Sequence, residues 1–132
     1  MYQHTINISF GDCDPAGIVF YPNYFRWFDA TYQAFLASHG LDHKSLVEKL
    51  DCVGTGLIDC GASFRLPAGS GDNVTLTMTI ESWSEKTFKI AYVGTMEDST
   101  ILEGFEVRGL FKKIDGRLSA APIAQLRILL EE

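Results

Sequence analysis

Two carboxylates lie close together in the loop formed by residues 11–17, just before a strongly apolar segment. They are Asp12 and Asp14, separated only by Cys13. A carboxylate that points into an apolar pocket can act on an acyl compound as a nucleophile or as a general base. The N–H groups at the start of a following helix can stabilise the negative charge that develops on the acyl oxygen. Aspartates before a helix also cap backbone N–H groups, so a purely structural role stays open for this loop.

The segment after this loop is predicted to form one long helix from about Asn23 to His39. Asn23 follows Pro22 and is a suitable N-cap, and Gly40 provides the stop at the C-terminal end. Aromatic and aliphatic residues occur on nearly every side of this helix. That distribution predicts a helix that is buried over most of its circumference.

Most of the remaining chain alternates between apolar and polar residues, with the period of two that is typical of half-buried strands. The predicted strands are residues 3–10, 53–66, 74–80, 88–96 and 105–111. The apolar faces are expected to contain Phe10 in the first strand and Phe105, Val107 and Phe111 in the last. Glycines in the second strand predict bulges or bends. A short C-terminal helix is predicted after Pro122.

A single antiparallel sheet of about five strands has to bury one face, and the long helix is the only element large enough to cover it. The sequence therefore predicts an α+β protein with the hotdog fold, in which the sheet wraps around one long apolar helix. The whole chain, residues 1–132, is expected to be a single domain because it contains no repeat or linker-like segment. Open sheet edges and a thin pocket wall predict a homo-oligomer, namely a dimer with a continuous sheet that assembles further into a tetramer. In it, Asp14 of one subunit would face groups of its neighbour.

The composition argues against several other classes of protein. The formal net charge of −6 has the wrong sign for non-specific binding to nucleic acid. No apolar run approaches the roughly 18 residues of a membrane-spanning helix, and the first residues do not resemble a signal peptide, which predicts a cytoplasmic protein without membrane contact. The cysteines, Cys13, Cys52 and Cys60, have no CxxC spacing, and the histidines are scattered, so no metal site is expected.

The segment Phe10–Val19 resembles the signature of the 4-hydroxybenzoyl-CoA thioesterase family of hotdog proteins. It reads FGDCDPAGIV and is followed by YPNY at residues 21–24 and RWFD at residues 26–29. The similarity continues weakly through residues 53–55 and 62–64. The resemblance implies a thioesterase that hydrolyses an aromatic or short acyl-CoA thioester to the free acid and CoA. Coenzyme A is then part of the substrate, and no separate cofactor is implied.

The resemblance also implies which residues carry out the reaction. The family's catalytic carboxylate corresponds to Asp14, and the backbone N–H that polarises the thioester carbonyl corresponds to that of Tyr21. Asp12 is expected to order the loop rather than act on the substrate. A related subgroup of acyl-CoA thioesterases has a histidine at the position of Tyr21, so the tyrosine places this sequence with the aryl-CoA type.

Three further residues are candidates for substrate binding. Asp29 and Thr55 correspond to pocket positions of the family that can meet a polar acyl group. The family binds the nucleotide phosphates with adjacent arginines and a lysine. Here the corresponding residues are Ser84, Glu85 and Lys86, which leaves Lys86 as the candidate phosphate contact.

Two other functions remain open from the sequence. A hotdog protein can bind acyl thioesters, or interact with a partner, without hydrolysing them. A hotdog hydratase is the other alternative. Such an enzyme typically pairs its acidic residue with a nearby histidine, which the sequence does not place beside Asp14.

Overall fold

The computed structural model describes residues 1–131 and consists mainly of an antiparallel sheet and one long helix. Within these residues the strands are β1 (Tyr2–Asn7), β2 (Gly54–Phe64), β3 (Asn73–Trp83), β4 (Thr87–Met96), β5 (Ser99–Ile114) and β6 (Arg117–Ala121). The helices are α1 (Pro22–Ser38), α2 (His43–Leu50) and α3 (Ala124–Leu130), and one turn of 3-10 helix spans Phe10–Asp12. The antiparallel sheet wraps around α1, so the predicted α+β hotdog architecture is confirmed.

The strands are ordered β1-β3-β4-β5-β2, and each pairing between them is antiparallel. β6 turns back after β5 and pairs with its last residues. The outer strands β1 and β2 each have one edge without a strand partner within residues 1–131. β2 is the longer of the two, with 11 residues against 6 in β1. An unpaired edge of that length can pair with a strand of another chain.

α1 covers the inner face of the sheet with one stripe of large side chains. Its buried residues are Tyr24, Trp27, Phe28, Thr31, Tyr32 and Leu36. Phe28 stacks on Tyr92 of β4 with ring centres 4.4 Å apart, and Gly104 of β5 leaves the space that the ring of Phe28 occupies. The expectation that α1 is buried over most of its circumference is wrong, because the sheet covers only one side of the helix. The exposed residues of the other side include Arg26, Ala30, Gln33 and Ala37.

The apolar face predicted for β5 is the wrong face. Glu106, Arg108 and Leu110 are buried on the side of α1, whereas Phe105 and Val107 are half-buried on the outer face. Alternation shows that a strand has two different faces, but it does not show which face meets the core. A charged pair can occupy the core when its two members satisfy each other.

Two local features also differ from the prediction. β1 ends at Asn7, and Phe10 starts the 3-10 turn with 81% of its surface exposed, so it does not continue an apolar strand face. β2 does contain an irregularity, but its register shifts at residues 57–59 rather than at a glycine. Gly61 instead lies under the ring of Phe105, where a Cβ atom would come within 2.7 Å of a ring carbon.

Candidate active site

Asp12 connects the loop to the start of α1. The backbone N–H and the hydroxyl of Ser9 both donate to Asp12 Oδ2, at 2.9 and 3.0 Å. The Ser9 N–H is the main cause of a lowered pKa of the Asp12 carboxyl, and the charge of Arg26 acts in the same direction. The Asn23 side chain and the Phe20 N–H donate to the carbonyl oxygen of Asp12, at 2.8 and 2.9 Å. These contacts agree with the loop-ordering role expected of Asp12.

Asp14 starts a tight turn that leaves one of its carboxylate oxygens available. Its N–H donates to the carbonyl oxygen of Ile18, and the N–H of Gly17 donates to the carbonyl oxygen of Asp14, both at 2.9 Å. Gly17 has a φ of +83°, a conformation that favours glycine. Asp14 Oδ1 accepts the Ala16 N–H at 2.9 Å, whereas Oδ2 makes no hydrogen bond within residues 1–131. The half-buried carboxylate is therefore held by the turn through one oxygen only.

The backbone N–H of Tyr21 is also available. Tyr21 is the N-cap of α1, and Pro22, the first residue of the helix, has no N–H. The next two N–H groups, those of Asn23 and Tyr24, donate to the carbonyl oxygens of Phe20 and Tyr21. The Tyr21 N–H has no acceptor in the part of the chain that the structure describes. An unpaired N–H at the positive end of a helix dipole is suited to binding an oxyanion.

A cavity of about 370 Å³ opens beside this helix start. Its walls are mainly apolar, with one arginine, and consist of Ile18, Val19, Tyr21, Tyr24, Phe64, Arg65, Leu66, Pro67 and Ala68. Tyr21 and Phe64 are exposed over 60% and 49% of their surfaces. Large apolar side chains that remain this exposed mark a binding site or an interface.

Asp29, farther along α1, and Thr55, near the start of β2, both contact Arg108. Nη2 of Arg108 donates to Asp29 Oδ1 at 2.9 Å, and Nη1 donates to the carbonyl oxygen of Thr55 at 3.3 Å. The Thr55 hydroxyl shares a hydrogen bond of 2.8 Å with the hydroxyl of Tyr32. A second cavity, of about 240 Å³, borders Thr55 and is lined in part by His43, a residue outside the predicted site.

The sequence analysis missed the buried network that holds Arg108. Arg108 donates from Nε and Nη2 to both carboxylate oxygens of Glu106, at 3.0 and 2.9 Å, and the Tyr92 hydroxyl donates to Oε1 at 2.6 Å. Burial alone would lower the pKa of Arg108, but its hydrogen bonds and ion pair with Glu106 raise that pKa. The available signal was the spacing of Glu106 and Arg108, two residues apart on one face of a strand that also carries Leu110.

Lys86 lies in the exposed turn between β3 and β4. Its side chain makes no ion pair within residues 1–131. The next residue, Thr87, pairs with Gly109 of β5, which in turn pairs with Gly56 of β2. Lys86 therefore lies at the same end of the sheet as Thr55.

The five predicted site residues form two groups in one chain. Asp14 and Tyr21 lie at the start of α1, and Asp29, Thr55 and Lys86 lie toward the other end of the sheet. Asp29 follows Tyr21 by eight residues, which is about 12 Å along the axis of α1. Within residues 1–131 there is no cluster of three metal-ligating side chains. Over the same residues, no helix is long and apolar enough to cross a membrane.

Comparison with known proteins identifies the family. Residues 8–122 match the sequence model described as the thioesterase-like superfamily. The chain belongs to this superfamily. Within the superfamily, the 4-hydroxybenzoyl-CoA thioesterase of Pseudomonas sp. (strain CBS-3) is 43% identical over 83 residues, which span 61% of this chain and 58% of that relative. The family resemblance expected from the sequence is confirmed.

Solved structures of thioesterases match over nearly the whole chain. The 4-hydroxybenzoyl CoA thioesterase from Pseudomonas sp. strain CBS-3 has a TM-score of 0.87 at 32% identity, covering 99% of this chain and 100% of that one. A variant of 4-hydroxybenzoyl CoA thioesterase in complex with 4-hydroxybenzoyl CoA has a TM-score of 0.89 at 31% identity, and the match covers 98% of this chain and 97% of that one. A gentisyl-coenzyme A thioesterase has a TM-score of 0.79 at 27% identity, and the match covers 97% of this chain and 98% of that one.

Asp12→Asn is expected to weaken the loop in a pH-dependent way. The folded-state pKa of Asp12 is lowered, chiefly by the Ser9 N–H. Its contribution to stability is therefore complete above the ordinary carboxyl pKa of about 4, and it is lost as the pH falls through the lower folded-state value. Thermal unfolding of the variant and the wild type should differ at neutral pH and converge in acid.

Asp98→Asn, in the exposed turn between β4 and β5, serves as the control for this comparison. A stability difference for Asp12→Asn that stays constant from neutral pH into acid would contradict the role assigned to its carboxylate.

Proposed function

We propose that the protein hydrolyses aromatic acyl-CoA thioesters to the free acid and CoA, with Asp14 as the catalytic carboxylate. One observation carries the proposal. A carboxylate oxygen of Asp14 and the N–H of Tyr21, neither of which has a hydrogen-bond partner within residues 1–131, occur in the same loop and helix start of a chain of the thioesterase-like superfamily. The relatives that act on 4-hydroxybenzoyl-CoA and gentisyl-CoA support an aromatic acyl group.

The proposed reaction needs only the substrate, water and these two groups. In one route, an Asp14 oxygen bonds to the thioester carbon, the C–S bond breaks, and CoA leaves as a thiolate that takes a proton from water. Water then hydrolyses the acyl–aspartyl anhydride and restores the carboxylate. In the other route, Asp14 removes a proton from a water molecule as the water oxygen bonds to the thioester carbon, the C–S bond then breaks, and the CoA thiolate takes the proton back from Asp14. In both routes the Tyr21 N–H stabilises the oxyanion, and no separate cofactor takes part.

The complete site is proposed to form between two copies of the chain. The unpaired edge of β2 allows antiparallel pairing with a second β2 about a two-fold axis. If the axis passes near the middle of the strand, the Thr55 end of one copy lies beside the Phe64 end of the other. The ring of Phe64 is 6.5 Å from that of Tyr21, so this pairing brings Asp29 and Thr55 of one copy toward Asp14 and Tyr21 of the other.

A tetramer needs a second interface in addition to the β2 edge. The outer face of the sheet, with the half-buried Phe105 and Val107, is the surface we propose for it. Lys86 is proposed to contact a phosphate of CoA from its exposed turn. The cytoplasmic location stays a prediction.

Asp14→Asn is expected to lower kcat by at least about 10²-fold, because the amide keeps the size of the side chain but cannot act as a nucleophile or base. The measurement is thiol release from benzoyl, 4-hydroxybenzoyl, phenylacetyl and short aliphatic CoA esters. Asp98→Asn is the matched control and should leave kcat unchanged.

Near-normal turnover of Asp14→Asn would contradict the proposal and favour a protein that only binds acyl thioesters. In single-turnover hydrolysis in ¹⁸O-water, label in Asp14 would establish the covalent route, since only attack of water on the aspartyl carbonyl of the anhydride places it there.

Lys86→Ala is expected to raise KM for acyl-CoA with little change in kcat, because a phosphate contact is equally strong in the ground state and the transition state. The effect should shrink as salt is added, because exposed charges are screened over about 8 Å at physiological ionic strength. Lys49→Ala on α2 serves as the control. A KM that does not change at low or high salt would place the phosphate contact elsewhere.

A further inference from the structure

Arg108 connects the two residues proposed to bind the acyl group. One of its terminal nitrogens donates to the Asp29 carboxylate and the other to the Thr55 carbonyl oxygen. Its guanidinium carbon lies 4.2 Å from the ring centre of Tyr32, and the hydroxyl of Tyr32 shares a hydrogen bond with the Thr55 hydroxyl. Arg108 therefore holds the Asp29 carboxylate of α1 and the main chain of Thr55 in β2. It also packs against Tyr32, which bonds to the Thr55 hydroxyl.

The guanidinium does not need Asp29 for its own charge balance. Glu106 is 3% exposed and Arg108 is 4% exposed, and their two hydrogen bonds already pair one negative charge with one positive charge. The Tyr92 hydroxyl also donates to Glu106. Because that pair is complete inside the core, Asp29 is an additional carboxylate on the same guanidinium.

Asp29 remains accessible while it is held. Its side chain is 54% exposed, and its Oδ2 atom makes no hydrogen bond within residues 1–131. A free aspartate on an exposed helix surface would move among several rotamers, and fixing it costs conformational entropy. Arg108 restricts this movement through Oδ1 and leaves Oδ2 as an acceptor for a hydroxyl or another donor on a ligand.

From this geometry we propose that Arg108 is a positioning residue that sets a preference for acyl groups with a hydrogen-bond donor, such as a ring hydroxyl. Arg108 does not touch the substrate; it orients Asp29 and Thr55, which do. The inference rests on the proposed thioesterase function, with Asp29 and Thr55 as its acyl-binding residues, and adds to it the residue that orients this pair.

Arg108→Lys tests the proposal while keeping a positive charge beside Glu106. A single ammonium group cannot reproduce the fork that reaches Glu106, Asp29 and Thr55 together. The readout is the ratio of kcat/KM for 4-hydroxybenzoyl-CoA to kcat/KM for benzoyl-CoA. We expect this ratio to fall about tenfold, the effect of one charge-assisted hydrogen bond, while the rate with benzoyl-CoA changes little.

Arg127→Lys is the matched control, because Arg127 is a surface residue near the C-terminus that pairs with Glu131. It should leave both substrates unaffected. The double variant Asp29→Asn/Arg108→Lys should lower the ratio no further than either single variant, since both changes remove the same interaction.

A second variant keeps the test decisive if Arg108→Lys does not fold. The triple variant Tyr92→Phe/Glu106→Leu/Arg108→Leu removes the whole network and leaves no unpaired buried charge, and such replacements are often tolerated. Its ratio should fall by a similar factor. If cooperative thermal unfolding is lost in both variants, the network is a structural element of the core and the proposal is overturned.

The possible outcomes separate this inference from the proposed function. A wild-type protein that hydrolyses neither aromatic thioester would overturn the proposed function and the inference with it. A wild-type enzyme with folded Arg108 variants that lose both activities equally would overturn the inference alone. A selective loss of 4-hydroxybenzoyl-CoA hydrolysis would support both.

Discussion

The packing of one helix against one sheet determines the rest of this structure. α1 supplies the aromatic stripe that fills the inner face of the sheet, with Phe28 stacked on Tyr92. The Asp12–Asp14 loop leads into the N-terminus of this helix, where the Tyr21 N–H has no acceptor within residues 1–131. The same packing places Asp29 and Tyr32 of the helix over Arg108 of β5. One residue of each group therefore belongs to the same helix, Tyr21 as its N-cap and Asp29 within it.

Within residues 1–131, the candidate site of a single copy is open and divided into two groups of residues. The edge of β2 is unpaired, Tyr21 and Phe64 are exposed beside a cavity, and Asp14 is separated from Asp29 and Thr55. The proposed pairing of two β2 edges would cover this apolar surface and would bring the two groups of candidate residues together. We therefore regard the proposed dimer as part of the catalytic apparatus rather than as an addition to it.

The sequence was sufficient for the architecture and for the loop, but not for the polar part of the core. Thr75 and Thr77 alternate with Val74, Leu76 and Met78 in β3, and this alternation predicts the strand and its buried face correctly. In β5 the same reasoning selects the wrong face. The spacing of Glu106 and Arg108 places them on one strand face, but their burial depends on partners that are distant in sequence, Tyr92 and Asp29, so the spacing alone does not show that this face is buried. The free Tyr21 N–H likewise follows from the geometry of the turn.

The central claim, that each site combines Asp14 and Tyr21 of one copy with Asp29 and Thr55 of the other, is tested most directly by mixing two defective subunits. One subunit carries Asp14→Asn and the other carries Asp29→Ala/Thr55→Val, each with its own affinity tag. In a purified mixed dimer, one site contains all of the substituted residues, and the other site contains only wild-type residues.

The account predicts that the mixed dimer hydrolyses 4-hydroxybenzoyl-CoA at about half the wild-type rate, because one of its two sites is intact. The two parent proteins should be much slower when assayed separately. A mixed dimer no faster than the mean of its parents would show that each site lies within a single chain and would contradict the account.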